Sequence, residues 1–131
     1  MLKVLILFKN SISGTLPCSL LQLQQLEFFD LSENQLNGTL PNCLHGSTIS
    51  NITMLNLNSN NLSGTFHSYF ERCKELKFLD LAYNKLSGSI PPWIGENLPY
   101  FSFLRLHSNL FSGGIPIKHT RMKGLQYLDL E

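Results

Sequence analysis

The side chains able to do chemistry are present but scattered. His45, His67, His107 and His119 share no metal-ligand spacing. Cys18, Cys43 and Cys73 contain no CxxC pair, so no zinc-site pattern arises, and an odd count closes no disulfide framework. Cys18 and Cys43 occupy nearly equivalent slots, one residue out of step. A disulfide between them is conceivable, but its geometry is demanding, and small buried thiols are the expectation. The carboxylates form no isolated pair, and no nucleophile elbow, phosphate loop or metalloprotease helix is present. The reading is therefore no enzyme, no metal and no cofactor.

Charge and hydropathy narrow the classes further. A net charge of +1 without a basic stripe argues against nucleic acid as a partner. With 43% hydrophobic and 15% charged residues the chain is globular. No apolar run reaches the length of a membrane span. Met1–Phe8 is apolar, but it breaks at Lys9 with no small-residue cleavage site after it, so it reads better as part of a repeat than as a leader.

What remains is recognition, and the elements that would display it are visible as a repeat. Leu fills 26 positions and Asn 12. They align on L-x-x-L-x-L-x-x-N-x-L-x-G, with repeats beginning at Leu2, Leu26, Ile52, Leu76 and Phe101 and a truncated one at Leu125. Several registered copies of one pattern predict a stacked architecture. Leu5/Leu7, Phe29/Leu31, Leu55/Leu57, Leu79/Leu81 and Leu104/Leu106 alternate at period two, the pattern of short strands with one buried face. Such strands pair only with the next repeat. The expected fold is therefore an α/β solenoid, a curved right-handed superhelix with a concave parallel sheet and a 3₁₀- and turn-rich convex side. Residues 1–131 are expected to form a single domain.

Asn10, Asn34, Asn60, Asn84 and Asn109 follow the strands, where the turning backbone loses its ladder partners. An amide side chain both donates and accepts, so an internal asparagine ladder is predicted. Gly14, Gly38, Gly64, Gly88 and Gly113 each lie four residues after that Asn, the mark of a positive φ or a close backbone approach. Pro17, Pro41, Pro91 and Pro116 come three residues later. The third repeat departs, with Thr65-Phe66-His67, and its convex side is expected to be looser or locally helical.

The outward strand positions form columns along the concave face. One reads Val4, Phe28, Met54, Phe78, Phe103, Tyr127. The next reads Ile6, Asp30, Asn56, Asp80, Arg105, Asp129, followed by Phe8, Ser32, Asn58, Ala82, His107, Glu131. Lys9, Glu33, Ser59, Tyr83 and Ser108 complete the set. Aromatics supply rigid contact area at interfaces. Phe78, Asp80, Tyr83, Arg105 and His107 make the most mixed patch and are the candidate ligand-binding residues. The competing account is that the bulky column packs against itself up the stack and serves the sheet alone.

The motifs Leu36-Asn37-Gly38-Thr39-Leu40-Pro41, Leu86-Ser87-Gly88-Ser89-Ile90-Pro91 and Phe111-Ser112-Gly113-Gly114-Ile115-Pro116 resemble the plant-specific class of leucine-rich repeats. Pro92-Trp93-Ile94-Gly95, Leu104-Arg105-Leu106-His107-Ser108-Asn109 and Leu125-Gln126-Tyr127-Leu128-Asp129-Leu130 are similar to plant receptor-like proteins and receptor kinases of the cell surface. The resemblance implies an extracellular ligand- or co-receptor-binding segment at the plasma membrane, or one secreted to the cell wall, acting in defence or developmental signalling. It implies a peptide, glycan or protein ligand and a co-receptor ectodomain as partner. Attachment to a membrane would come only through a segment absent from this chain, and a kinase only in missing sequence. The chain shows no cysteine-paired N-terminal cap, and both ends are raw repeat, so a fragment is expected. The alternative is a soluble wall inhibitor similar to polygalacturonase-inhibiting proteins. The secreted origin implied by the resemblance makes the sequons at Asn37, Asn51 and Asn61 candidate glycosylation sites.

Overall fold

The computed structural model describes residues 1–42, 50–66, 68–114 and 124–130. In chain order the elements are β1 (Val4–Ile6), β2 (Ser13–Thr15), α1 (Cys18–Leu21), β3 (Phe28–Asp30), β4 (Gln35–Thr39), β5 (Met54–Asn56), β6 (Asn61–Gly64), a 3₁₀ segment (Ser68–Arg72), β7 (Phe78–Asp80), β8 (Lys85–Gly88), α2 (Trp93–Glu96), β9 (Phe103–Arg105), β10 (Leu110–Phe111) and β11 (Tyr127–Asp129). The odd-numbered strands form one parallel sheet in the order β1-β3-β5-β7-β9-β11. The even-numbered strands form a second, in the order β10-β8-β6-β4-β2. Every pairing joins one coil to the next, which makes the chain a curved solenoid.

The register of the first sheet is unbroken: Leu5, Phe29, Leu55, Leu79, Leu104 and Leu128 are successive partners. Their side chains point inward because alternate residues of a strand take opposite faces. Phe29, Leu55, Leu79 and Leu104 are buried, as are Leu26, Ile52, Leu76 and Phe101 one position set earlier. Each such side chain contributes about 1.5–3 kcal/mol by leaving water, so one coil's apolar set is stabilised only when a neighbour covers it.

The asparagines zip the coils together. Asn84 Nδ2 donates to Leu57 O, Leu81 O and Ala82 O at 3.0–3.2 Å, and its Oδ1 accepts Leu62 N–H at 3.0 Å. Asn34, Asn60 and Asn109 repeat this set with one carbonyl and one N–H from the preceding coil. Just before each asparagine, Lys9, Glu33, Ser59, Tyr83 and Ser108 have φ between +52° and +57°. For a residue with a Cβ this conformation costs on the order of 1–2 kcal/mol. It turns the chain inward while Lys9, Glu33, Ser59 and Tyr83 still donate their N–H groups to the next coil.

The second sheet is the main feature that the repeat pattern did not announce. Its strands run through the L-x-G-x-L/I motif, and their glycines allow the coils to approach. A Cβ on Gly64 (φ +82°) would sit 2.8 Å from Thr39 Cγ2, and one on Gly38 (φ +74°) 2.9 Å from Thr15 Cγ2. The third repeat is locally helical in its 3₁₀ segment. Phe66 takes the slot held elsewhere by Leu40 and Ile90 and packs on Phe70, Trp93 and Phe111, with ring centroids 5.6–6.1 Å away.

The cysteines require a correction. Cys18 is disulfide-bonded and is not a buried thiol. It begins α1 and is half-buried against the core, whereas Cys73 is enclosed in the core. Cys43, His45, His67, His119 and Glu131 lie outside the described residues.

Candidate functional site

The concave sheet turns two residues of each strand outward. In-register parallel strands bring like positions to about 4.8 Å from one another, which is close to ring-stacking distance. Phe78 stacks on Phe103 at 4.1 Å with ring planes 10° apart, and Phe103 stacks on Tyr127 at 4.5 Å and 7°. The column does pack against itself here, yet Phe78 and Phe103 stay half-buried and Tyr127 is exposed. Because neighbouring ring faces cover one another between Phe78 and Tyr127, the stack turns its ring edges to solvent.

Beside the stack, hydrogen bonds join polar side chains across five strands. Ser32 Oγ donates to Asp30 Oδ1 at 2.6 Å, Asn56 Nδ2 to Asp30 Oδ2 at 3.3 Å, and Asn58 Nδ2 to Asn56 Oδ1 at 2.9 Å. Asn58 Nδ2 also reaches Asp80 Oδ2 at 2.9 Å, and Arg105 donates to the same oxygen at 3.0 Å. The other Arg105 terminal nitrogen lies 3.4 Å from His107 Nε2, while His107 Nδ1 is 2.6 Å from Asp129 Oδ2. A neutral His107 carrying its proton on Nδ1 makes both contacts hydrogen bonds. Tyr127 closes the series, donating its hydroxyl to Asp129 Oδ2 at 3.2 Å. The Tyr127 phenol titrates above its ordinary value through desolvation, the negative charge of Asp129 and the hydrogen bond to it.

Four of the five singled-out residues meet. Tyr83 lies edge-on to His107 at 4.7 Å, and the Arg105 guanidinium sits 5.8 Å from the Tyr83 ring centroid. Tyr83 is half-exposed at 51%, and the left-handed turn projects it over the polar row. Phe78 belongs to the parallel aromatic row. Asp80 is different: only 2% exposed, it accepts Ala82 N–H, Asn58 and Arg105, so it holds Arg105 in place from beneath. Phe103, Tyr127 and Asp129 complete the arrangement and were not singled out from sequence. Column position pointed to them, since Phe103 and Asp129 lie one coil along from Phe78 and Arg105, and Tyr127 two coils along from Phe78. Among the described residues no group of three His, Cys, Asp or Glu side chains could hold a metal, and no helix is long and apolar enough to cross a membrane.

The sequon asparagines are all exposed. Asn37 and Asn61 are direct partners on β4 and β6, in the second sheet. Asn51 lies between β4 and β5 in the chain, and its Nδ2 donates to Gln24 O at 2.7 Å.

Comparison with known proteins follows the same geometry. Leucine rich repeat family profiles match residues 50–111 and, as two single repeats, residues 1–23 and 25–47. No curated protein sequence matches. Among solved structures the chain is similar to the plant peptide hormone receptor RGFR1 in complex with RGF2, with 32% identity and a TM-score of 0.91 over 99% of this chain and 20% of that one. It is similar to the SOBIR1 receptor kinase ectodomain from Arabidopsis thaliana at 31% and 0.84, covering 96% of this chain and 67% of that one. A chain of the BIR3–SERK2 complex from the same plant gives 33% and 0.80, with 96% and 68% covered. Against the larger receptors the chain spans about a fifth of their length, from 18% to 22%.

Proposed function

This chain belongs to the leucine-rich-repeat family in the form found in plant receptor ectodomains, and from that premise we propose that residues 1–131, as one domain, are a ligand- or co-receptor-binding segment of a plant receptor-like protein or receptor kinase. The observation that carries the reading is the concave face itself. An aromatic stack of Phe78, Phe103 and Tyr127 on one sheet runs beside the Arg105–His107–Tyr83 cluster at the ends of its strands, and all are partly accessible. Ring edges and a fixed guanidinium suit main-chain carbonyls and carboxylates, the groups a peptide offers in quantity, better than the flat face of a sugar.

In this reading Phe78, Tyr83, Arg105 and His107 touch the ligand and Asp80 positions Arg105. The segment acts outside the cell, where the Cys18 disulfide is at home. Asn37, Asn51 and Asn61 carry N-linked glycans, and the in-register pair Asn37 and Asn61 places sugar on the second sheet, which leaves the concave face open. Titration of the chain by calorimetry against a panel of synthetic secreted-type peptides, with wall oligosaccharides in parallel, tests this. Tyr83→Ala and Arg105→Ala are expected to weaken a peptide hit tenfold or more, about 1.4 kcal/mol each. Unchanged affinity in both variants, or hits among the oligosaccharides alone, would overturn the reading.

A further inference from the structure

His107 stands between two ions of opposite sign. Its Nδ1 lies 2.6 Å from Asp129 Oδ2 on β11, and its Nε2 lies 3.4 Å from Arg105 Nη2 on β9. These neighbours select one form of the ring. A carboxylate only accepts and a guanidinium only donates, so a neutral ring satisfies both with its proton on Nδ1 and its lone pair on Nε2. The opposite tautomer sets a lone pair against Asp129 and two donors against each other. Each ion also has support of its own. Asp80 Oδ2 accepts Arg105 Nη1 at 3.0 Å, and the Tyr127 hydroxyl donates to Asp129 Oδ2 at 3.2 Å. Tyr83, in the turn after β7, meets the imidazole edge-on at 4.7 Å, and its ring centroid is 5.8 Å from the guanidinium. Asp80, Tyr83, Arg105, Tyr127 and Asp129 are the charged or titratable groups around it among the described residues. In the earlier coils Ser32, Asn58 and Ala82 take the place of His107, and none of them ionises near neutral pH.

We propose that His107 is a proton-operated latch on Arg105; as a control on ligand binding, the latch rests on the reading of this face as the binding surface. Acidification adds a proton at Nε2. The lone pair that accepted Arg105 becomes an N–H, so two donors and two positive charges face each other across 3.4 Å. Asp129 holds the imidazolium through Nδ1 and Asp80 holds the guanidinium through Nη1, so neither ion pair has to break. Only the Nη2 contact is lost, and that arm turns off the ring into the concave space. The face then shows two donors, Nη2–H and Nε2–H, where the closed row spends the first and lacks the second. In acid both meet an oxygen acceptor on a ligand, so a contact made through this cluster strengthens as pH falls.

Long-range proton–nitrogen correlation spectra of the isotope-labelled 131-residue chain test the closed form. At about pH 8 His107 is expected as the Nδ1–H tautomer, and at about pH 5 with both ring nitrogens protonated. Crystals held at the same two pH values test the opening. At the lower pH Arg105 Nη2 is expected to lie more than about 4 Å from Nε2, while Nη1 stays on Asp80. In His107→Asn, whose amide does not ionise, the arm should sit alike at both. The proposal is overturned by an Nε2–H tautomer at the higher pH or by a ring still neutral at the lower one. It is equally overturned by an arm that keeps its 3.4 Å contact in acid, or by one that moves as much in the His107→Asn chain. None of these measurements uses a ligand, so the latch can fail while the peptide reading stands, and the reverse.

Discussion

The two sheets run through the same coils at the same pitch, yet they differ in what they show to solvent. The second sheet carries Asn, Ser, Gly and Thr beside its leucines, held close by glycine, and its longer exposed side chains are Gln35, Lys85 and Leu110. The first sheet carries aromatic and charged side chains that contact one another from β3 to β11. Parallel pairing at a fixed register satisfies the backbone in both cases. The difference is that glycine closes the coils on one flank, so the opposite flank can hold large side chains in columns and vary them. Stability and display are thus separated within each coil, with the asparagine between them.

The largest expected effect sits at that boundary. Asn84→Ala removes three donated bonds and one accepted bond from a buried site and is expected to cost about 3 kcal/mol. Asn10→Ala, at an exposed site where two donated bonds are lost, should cost about 1 kcal/mol. Equal losses by urea denaturation would mean that the ladder does not join coils. Next comes the glycine flank. Gly64→Ala meets both a positive φ and the Thr39 methyl and should cost about 2–3 kcal/mol, while Gly14→Ala, with nothing within 4 Å, should cost about 1–2 kcal/mol. The difference between the two melting curves isolates the close approach from the backbone strain.

On the display side the effects are smaller. Arg105→Ala leaves Asp80 buried with Ala82 N–H and Asn58 as its remaining partners, and about 1–2 kcal/mol is expected to be lost. The exposed Lys85 of the second sheet should tolerate alanine within about 0.5 kcal/mol. If both variants melt alike, the polar row contributes nothing to the fold. Glu33→Asn places a residue tolerant of the left-handed region at φ +52° and is expected to stabilise by about 0.5 kcal/mol in the same assay.

The smallest effect is spectroscopic. Tyr127 should ionise above the ordinary tyrosine value in an absorbance titration, and Asp129→Asn should bring it back toward that value. The raised phenol means that the folded state favours the protonated form. The Tyr127–Asp129 hydrogen bond is therefore intact below the usual tyrosine range and is lost as pH rises through the higher folded value.

Much of this was legible before any coordinates. The coils could be counted because an inward leucine must recur wherever a strand does, and the asparagines marked where the backbone turns away from its ladder. The concave columns followed from period two alone, so Arg105, His107 and Tyr83 could be placed near one another. The second sheet could not be read, since Gln35-Leu36-Asn37-Gly38 has the composition of a turn and becomes a strand only when Ile12 and Asn60 present their edges to it. The positive φ at Glu33, Ser59 and Tyr83 was hidden for a related reason. Nothing in Glu, Ser or Tyr favours that conformation, and it is imposed by the asparagine that follows.

The sequence by itself determined the period, the inward and outward faces and the end-to-end order of the coils, because those depend on local alternation and on which side chains avoid water. Only the tertiary structure decided that Asp80 is enclosed and holds Arg105, that three rings stack, and that Cys18 is oxidised while Cys73 is sealed in the core. Each of these depends on what the neighbouring coil places opposite a residue, at distances a linear pattern does not contain.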